Sequence, residues 1–324
     1  MSFSSIIGHA RVISQLKKQL RANRIPPAFL FHGPKGVGKL DVAVILAMAA
    51  NCLDETARSK GDACGVCRMC ANIARGIHPD VAVIDLAYQA ALRGEPVEKQ
   101  QRIRIDTIRE AIDRAQQKAV EARHKVFILD DAETMQPEAA NSLLKMLEEP
   151  PAGTFWVLVS ARRSSMLGTI ISRAQDMTFS ALTDSETAAV LAEQGFSAKE
   201  ADFFAPLSQG SADRALKVRE LMQNMADLDD MDPLYPFNVS ARLPSELAAA
   251  RRDAGLLVEL LIEDAHRKMT AAGEPARADS YKTLLDTLFR RREAINRNVS
   301  PHRVLETAVL ECEKLKIRFF PAQN

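Results

Sequence analysis

The sequence predicts an α/β fold, with a parallel sheet in the first half of the chain and helices in the rest. Two observations indicate the sheet. Short apolar runs alternate with helical patterns, and a glycine-rich loop joins the first run to a long apolar segment. Strands that are apolar throughout are typical of a parallel sheet covered on both faces. Beyond about residue 180 the strand signals end and helical spacing continues.

Each element of the first half follows from its own pattern. Residues 12–22 have apolar positions at helical spacing, and the double proline at 26–27 separates this helix from an apolar strand at 28–31. Another helix begins near Pro137 and ends at the double proline 150–151. The remaining predicted elements are helices at 40–51 and 105–119 and strands at 81–85, 126–129 and 155–159.

The second half reads as helices on either side of an acidic linker. Three short helices are predicted at 184–194, 198–204 and 211–225, the linker at 227–236, and three longer amphipathic helices at 245–272, 277–298 and 301–317. We therefore predict three domains, an α/β domain at 1–180, a small helical domain at 181–226 and a helical bundle at 237–324.

The composition excludes some classes of protein. The 324 residues include 43 lysine and arginine residues against 42 aspartate and glutamate residues, which gives a net charge of +1. A hydrophobic content of 47% is ordinary for globular proteins and argues against wholesale disorder. The balanced charge argues against a protein that coats nucleic acid by electrostatics alone. The chain shows no secretory signal and no apolar run of about eighteen residues, so we expect a cytoplasmic protein without a membrane partner.

A phosphate-binding loop is predicted after the first strand, with the sequence Gly33-Pro34-Lys35-Gly36-Val37-Gly38-Lys39. The three glycines allow backbone N–H groups to turn towards phosphate oxygens, and Lys39 would reach the terminal phosphates of ATP or ADP. The motif normally ends with serine or threonine, whose hydroxyl coordinates Mg²⁺. Here that position is Leu40, so efficient hydrolysis is not expected, whereas nucleotide binding stays open.

Two carboxylates follow the strand at 126–129. Asp130 and Asp131 fit the second half of a nucleotide site, where one carboxylate supports Mg²⁺ and the next orients the attacking water. A carboxylate pair at a strand end also commonly caps the next helix, and this alternative is equally consistent with the pair taken alone.

Four of the five cysteines predict a metal site. Cys64, Cys67 and Cys70 form a C-x₂-C-x₂-C pattern, and Cys52 lies twelve residues upstream. Four thiolates around one Zn²⁺ make a closed structural site, although an iron–sulfur cluster and free thiols are alternatives. We predict that His78 is a surface residue and that Cys312 is a small core residue of a helix.

Several motifs together resemble the bacterial DNA polymerase III clamp-loader family of AAA+ proteins. They are Ile7-Gly8-His9, residues 23–31, residues 140–151, Ile171-Ser172-Arg173 and residues 296–306. The resemblance covers nearly the whole chain, with Ala174 in place of a family cysteine. It implies an AAA+ P-loop domain at 1–180 with a zinc module at 52–70, a helical lid domain at 181–226 and a helical collar domain for oligomerisation at 237–324.

Two departures from the family pattern indicate the type of member. Motor subunits keep serine or threonine at the position of Leu40. They also carry a phosphate-sensing arginine at the position of Asp213, whereas this chain has its arginine, Arg214, at the next position. The chain is therefore similar to the delta-prime members, which the family implies do not hydrolyse ATP. An active gamma/tau-like motor subunit is the alternative, and a zinc-dependent nucleic-acid-binding protein acting alone is a third class that the charge disfavours.

Arg173 carries the sharpest functional expectation. The resemblance implies that it reaches a neighbouring subunit's ATP as an arginine finger, and an always-charged fork of donors suits developing phosphoryl charge. The alternative is an ordinary surface arginine. The implied partners are the gamma/tau motor and delta subunits of the DNA polymerase III holoenzyme, which is a DNA-directed DNA polymerase. Primed DNA is expected to bind to the assembled complex.

Overall fold

A computed structural model of the chain describes residues 1–229, 231–270, 275–297, 299–315 and 317. The chain divides into two compact units. The first contains Met1–Gln194 and Gly210–Ala212, and the second contains Gly195–Gln209 and Asp213–Asn324. The division into three domains stays a prediction.

Within the described residues, the first unit contains a five-stranded parallel sheet with the strand order β2-β3-β4-β1-β5. Its strands are β1 Ala28–His32, β2 Val81–Ile84, β3 Lys125–Leu129, β4 Thr154–Ser160 and β5 Gln175–Thr178. Its helices are α1 Ala10–Arg21, α2 Lys39–Asn51, α3 Glu55–Ser59, α4 Arg68–Ala74, α5 Leu86–Arg93, α6 Ile105–Gln116, α7 Pro137–Glu148, α8 Gly168–Ile171 and α9 Asp184–Glu193. Short 3-10 helices cover Phe3–Ser5, Val97–Lys99, Ala132–Thr134 and Arg163–Ser165. The predicted parallel sheet is confirmed.

Alternate side chains of β1, β2, β3 and β4 enter different cores, as expected for a sheet with helices on both faces. Phe29 of β1 packs in one core with residues of α1 and α2. Its neighbour Leu30 packs in the other core with residues of α6 and α7. Because the strands must be apolar on both faces, their sequences read as continuous apolar runs. This explains why four of the five strands were predictable from composition.

The edge strand β5 was not predicted. It pairs only with β1 among the described residues, and Met177 is its one buried side chain. Gln175, Asp176 and Thr178 are polar, so the strand carries little apolar signal, as is common at sheet edges.

The second unit is helical. The helices that begin in this half of the chain are α10 Ala198–Leu207, α11 Ala212–Gln223, α12 Tyr235–Ala241, α13 Leu247–Thr270, α14 Pro275–Asn296 and α15 Pro301–Glu313. The last four pack against one another around buried aliphatic side chains such as Leu257, Leu288 and Leu305. The predicted helix ends at Ala272 and Asn298 lie outside the described residues. Helix α12 begins inside the predicted linker. At its start the backbone N–H of Tyr235 donates to the carbonyl oxygen of Asp232 at 2.8 Å.

No helix among the described residues combines the length and the apolar character that crossing a membrane requires.

Candidate functional site

The phosphate-loop residues lie between β1 and α2, as predicted. Gly36 and Gly38 have φ values of 72° and 93°, in the left-handed region that glycine adopts most easily. Gly33 has a φ of 150°, and a Cβ atom there would lie 2.1 Å from the carbonyl oxygen of Phe179. Two features thus require glycine in this loop, the turn itself and the close approach of another backbone segment.

Lys39 is the first residue of α2 and is buried. Its Nζ donates to the carbonyl oxygens of Gly33 and Pro34 at 2.7 and 2.6 Å, so the ammonium group lies inside its own loop. Burial lowers the pKa of Lys39, and the nearby carboxylates of Asp130, Glu133 and Asp131 oppose that shift. The fold therefore brings the predicted loop lysine and the predicted acidic pair together.

Leu40 follows Lys39 and packs against the apolar core that α1 and α2 share with the sheet. At this position a serine or threonine hydroxyl would serve as a magnesium ligand. The leucine side chain offers no oxygen and contributes to the core.

Asp130 and Asp131 lie directly after β3, and their surroundings differ. The N–H of Asp130 donates to the carbonyl of Ile84 at 3.0 Å, which continues the β2–β3 pairing. Burial raises the pKa of Asp130, the backbone N–H of Asp131 opposes this shift, and the negative charge of Asp131 adds to it. Asp131 has a φ of 44° and precedes the 3-10 helix Ala132–Thr134 without a side-chain cap. The capping alternative therefore does not describe Asp131.

Asp131 forms an ion pair with Lys35 of the phosphate loop, with 3.0 Å between Nζ and Oδ2. Lys35 is mostly exposed, so we assign the pair little stabilising energy. The pair links the Asp131 carboxylate to the ammonium group of a phosphate-loop lysine. The sequence analysis had no signal for this pairing, because the two residues are 96 positions apart.

Glu133 is a residue near the acidic pair that the sequence analysis missed. Its Oε1 accepts the N–H of Ala161 at 3.0 Å, just after β4. Its carboxylate thereby joins the segments that follow β3 and β4. The nearby Asp130–Asp131 pair was the only available signal for it.

Arg173 lies two residues beyond α8, and its side chain is about one-third exposed. Its Nε donates to the carboxylate of Glu148, the last residue of α7. Its Nη1 donates to the carbonyl oxygen of Thr169 at 2.9 Å and to Oγ of Ser172 at 3.2 Å. The guanidinium group is thus held in one orientation and remains accessible.

Arg214 belongs to the second unit and is engaged there. Its guanidinium group forms ion pairs with Glu259 and with Glu263, the latter at 3.0 Å, and both glutamates lie on α13. Asp213 stands in the first turn of α11. The arginine next to the expected sensor position therefore serves as an internal link of the helical unit.

The four predicted metal-ligating cysteines converge. The Sγ atoms of Cys52, Cys64, Cys67 and Cys70 all lie within 4.8 Å of one another. Four sulfurs at about 2.3 Å from one tetrahedral Zn²⁺ would be roughly 3.8 Å apart, and the Sγ atoms of Cys64 and Cys70 are 4.0 Å apart. Gly65, with a φ of 76°, forms the turn between the first two ligands of the C-x₂-C-x₂-C run.

Backbone N–H groups point at two sulfurs of this cluster, while burial raises the pKa of the Cys52 and Cys70 thiols. The N–H of Cys67 points at Sγ of Cys64 at 3.3 Å, and the N–H of Cys64 points at Sγ of Cys52 at 3.4 Å. Burial opposes ionisation of Cys67, but hydrogen bonds from the backbone of Cys70 and Leu53 and from neighbouring thiols lower its pKa to about 7. The cluster could therefore bind zinc.

The two remaining predictions have opposite outcomes. Cys312 is fully buried in α15, which confirms the prediction of a core residue. His78 was predicted at the surface, and this was wrong, because only 3% of the residue is exposed. Its Nδ1 accepts the N–H of Asp80 at 3.1 Å, so the histidine is part of a buried polar turn before β2.

The sheet and the phosphate loop after β1 define an AAA+ fold, the class that the sequence resemblance implied. A DNA polymerase III gamma subunit-related protein from Thermotoga maritima has a similar structure, with a TM-score of 0.55 over 92% of this chain and 99% of that chain. At 16% sequence identity this likeness shows the fold alone.

Sequence comparison identifies the family. The sequence profile described as DNA polymerase III, delta subunit matches residues 8–183, more than half of the 324 residues. The chain belongs to this family of clamp-loader subunits.

Two relatives illustrate the range of the similarity. DNA polymerase III subunit delta′ of Bacillus subtilis is 34% identical over 203 residues, which cover 63% of this chain and 57% of the relative. DNA polymerase III subunit gamma/tau of Mycobacterium tuberculosis is 34% identical over 191 residues, which cover 59% of this chain and 31% of the relative. The chain thus spans less than two thirds of the length of either curated relative.

Proposed function

We propose that the chain is a structural subunit of delta-prime type in the DNA polymerase III clamp loader and does not hydrolyse ATP. In this role it helps to load the sliding clamp onto primed DNA. Its partners are the gamma/tau motor subunits and the delta subunit of the holoenzyme. The similarity to delta′ of Bacillus subtilis supports this assignment.

The observation that carries the proposal is the placement of Leu40. Its side chain is partly buried and packs against the apolar core at the position where a hydroxyl would be needed to hold Mg²⁺. The ion pair between Lys35 and Asp131 adds a second obstacle, since it engages the carboxylate in the position of the water-orienting residue. Asp213 removes a third element, the phosphate-sensing arginine.

The phosphate loop is nevertheless formed, and in this proposal Gly33, Gly36, Gly38 and Lys39 are the residues that would bind ATP or ADP. To donate to phosphate oxygens, the Nζ of Lys39 would leave the carbonyl oxygens of Gly33 and Pro34. In the same proposal Cys52, Cys64, Cys67 and Cys70 hold one structural Zn²⁺.

Arg173 is the active contribution of this chain to catalysis. When a water attacks the γ-phosphorus of ATP in a neighbouring subunit, the bond to the bridging oxygen breaks and ADP carries the electron pair away. Arg173 forms no covalent bond in this step. Its guanidinium group stabilises charge on the phosphoryl oxygens, an effect of about 10³–10⁵ in rate in well-studied arginine fingers.

ATP turnover and nucleotide binding, measured on the isolated chain and then on the reconstituted complex, test the proposal. We expect no turnover by the chain alone. We expect Arg173→Ala to leave the chain folded and assembled while slowing hydrolysis by the complex. Turnover by the isolated chain, or unchanged hydrolysis with Arg173→Ala, would each refute the corresponding part.

A motor subunit of gamma/tau type is the second candidate, favoured by the 34% identity to gamma/tau of Mycobacterium tuberculosis. It predicts the opposite result, magnesium-dependent turnover that Lys39→Ala abolishes in the isolated chain.

A further inference from the structure

The hydrogen bonds of Arg173 are distributed unevenly over its guanidinium group. Nε donates to Glu148, and Nη1 donates to Thr169 and Ser172. Among the described residues, Nη2 makes no hydrogen bond, although an arginine carries five N–H donors in a fixed fork. One edge of the group is therefore held by the chain, and the other edge stays available for an anion.

The position of Glu148 is unusual for a glutamate. It is the last residue of α7, where the helix dipole presents partial negative charge and disfavours an acidic side chain. Glu149 follows it directly, so two like charges stand at this helix end. Helix stability does not explain a carboxylate here. The ion pair with Arg173 does, because the guanidinium group compensates both the carboxylate and the dipole.

We propose that Glu148 is a positioning residue, which fixes the guanidinium group of Arg173 so that its Nη2 edge faces the nucleotide of the neighbouring subunit. This inference rests on the proposed arginine-finger function. A long, flexible side chain loses rotamer entropy when it binds, and a partner that orders it beforehand reduces that cost. Glu148 provides this order through the Nε edge, which a phosphate does not need.

The alternative role for an ion pair at this place is sequestration, in which Glu148 keeps Arg173 away from the nucleotide until a neighbour displaces it. The observed geometry favours positioning. A sequestering carboxylate would bind the Nη2 edge of the guanidinium group. Glu148 instead binds Nε and leaves the Nη2 edge open.

The test uses the reconstituted clamp loader and single-turnover hydrolysis of ATP, because several ATP sites contribute and separate phases distinguish them. Arg173→Ala first identifies the phase that depends on the finger. We expect Glu148→Ala to slow that same phase by about 10- to 100-fold, the range expected when a catalytic group is misplaced by about an ångström. Glu148→Gln keeps an acceptor for Nε and should lose less.

Glu149→Ala is the matched control, since it removes the adjacent exposed glutamate at the same helix end. It should leave every phase unchanged. The double variant Glu148→Ala with Arg173→Ala should be no slower than Arg173→Ala alone, because Glu148 acts through Arg173. Tryptophan fluorescence and gel filtration verify that each variant folds and assembles.

The outcomes separate the two claims. If Arg173→Ala slows a phase and Glu148→Ala does not, the positioning role is overturned while the finger stands. Faster hydrolysis with Glu148→Ala overturns positioning in favour of sequestration. Further slowing in the double variant assigns Glu148 a separate role and also overturns the proposal. If Arg173→Ala slows no phase, both the arginine-finger function of Arg173 and the positioning role of Glu148 are refuted.

Discussion

Asp80 offers a quantitative test of how the first unit is held together. Its carboxylate, directly before β2, is only 3% exposed and accepts the backbone N–H groups of Val120, Glu121 and Ala122 at 2.8–3.0 Å. These donors belong to the segment before β3, so one side chain joins the starts of two neighbouring strands. We predict that Asp80→Asn destabilises this unit.

The magnitude follows from the number of bonds. A hydrogen bond to a charged group contributes about 1.5–3 kcal/mol, against about 0.5–1.5 kcal/mol for a neutral one. Asparagine can keep the three bonds that now reach Oδ2 but loses the charge on each, which amounts to about 3 kcal/mol. The asparagine also avoids the cost of burying a carboxylate. We therefore expect a net loss of about 2 kcal/mol in the free energy of unfolding at pH 7.

The difference should depend on pH in a defined direction. Burial alone would raise the pKa of Asp80, but the N–H groups of Glu121, Val120 and Ala122 outweigh it and lower the pKa. A carboxylate with a lowered pKa contributes its stability above the unfolded pKa of about 3.9 and loses it as the pH falls through the folded pKa. The gap between wild type and Asp80→Asn should therefore be constant from pH 7 to about pH 5 and narrow below about pH 4.

Urea unfolding followed by tryptophan fluorescence measures this effect, because the one tryptophan of the chain, Trp156, is buried in β4 of the same sheet. Asp113→Asn is the control, since Asp113 is an exposed aspartate on α6. It should change the stability by less than about 0.5 kcal/mol, as surface substitutions usually do. A similarly small effect of Asp80→Asn at pH 7 would refute the assigned role.

Three further predictions concern the same unit. Lys125→Met should cost about 2–4 kcal/mol in the same urea assay, because the buried Nζ of Lys125 donates to three carbonyl oxygens at the end of α6; an unchanged midpoint would contradict this. Gly33→Ala should prevent or strongly impair folding, since its Cβ would meet a carbonyl oxygen at 2.1 Å, whereas Gly168→Ala, with open space around it, should fold normally and serves as the control. Metal analysis of the purified chain should find one zinc per chain, retained in Cys312→Ser and lost in Cys64→Ser; absence of stoichiometric zinc in the unaltered chain would remove the assignment.

Strands and helices of the first unit were predictable where each residue's burial follows from its own neighbours. The strand at β4 is an example, because all seven residues from Thr154 to Ser160 are buried and most are apolar. Helix α12 is a counterexample. Its seven residues include Pro236, and they follow an acidic segment that is typical of linkers. Such a short helix is stabilised by packing against α15, which local sequence does not reveal.

The candidate sites divide in the same way. Glycines, lysine and cysteines occur at spacings that backbone geometry requires, so the phosphate loop and the cysteine cluster were predictable from contiguous motifs. The burial of His78 was not, because it depends on distant segments such as the one that carries Glu121, whose carboxylate lies 3.7 Å from Nε2 of His78.

The sequence by itself determined the α/β class, the phosphate loop without a magnesium-binding hydroxyl and the set of four cysteines, because all of these depend on residue types at short separations along the chain. The resemblance to the clamp-loader family added Arg173 as a candidate finger. Only the tertiary structure decided which charges meet. The pairing of Lys35 with Asp131 joins residues 96 positions apart, and that of Arg173 with Glu148 joins residues 25 positions apart. The physical reason is that an ion pair depends on the distance between two charges in space, and the packing of helices, strands and loops sets that distance.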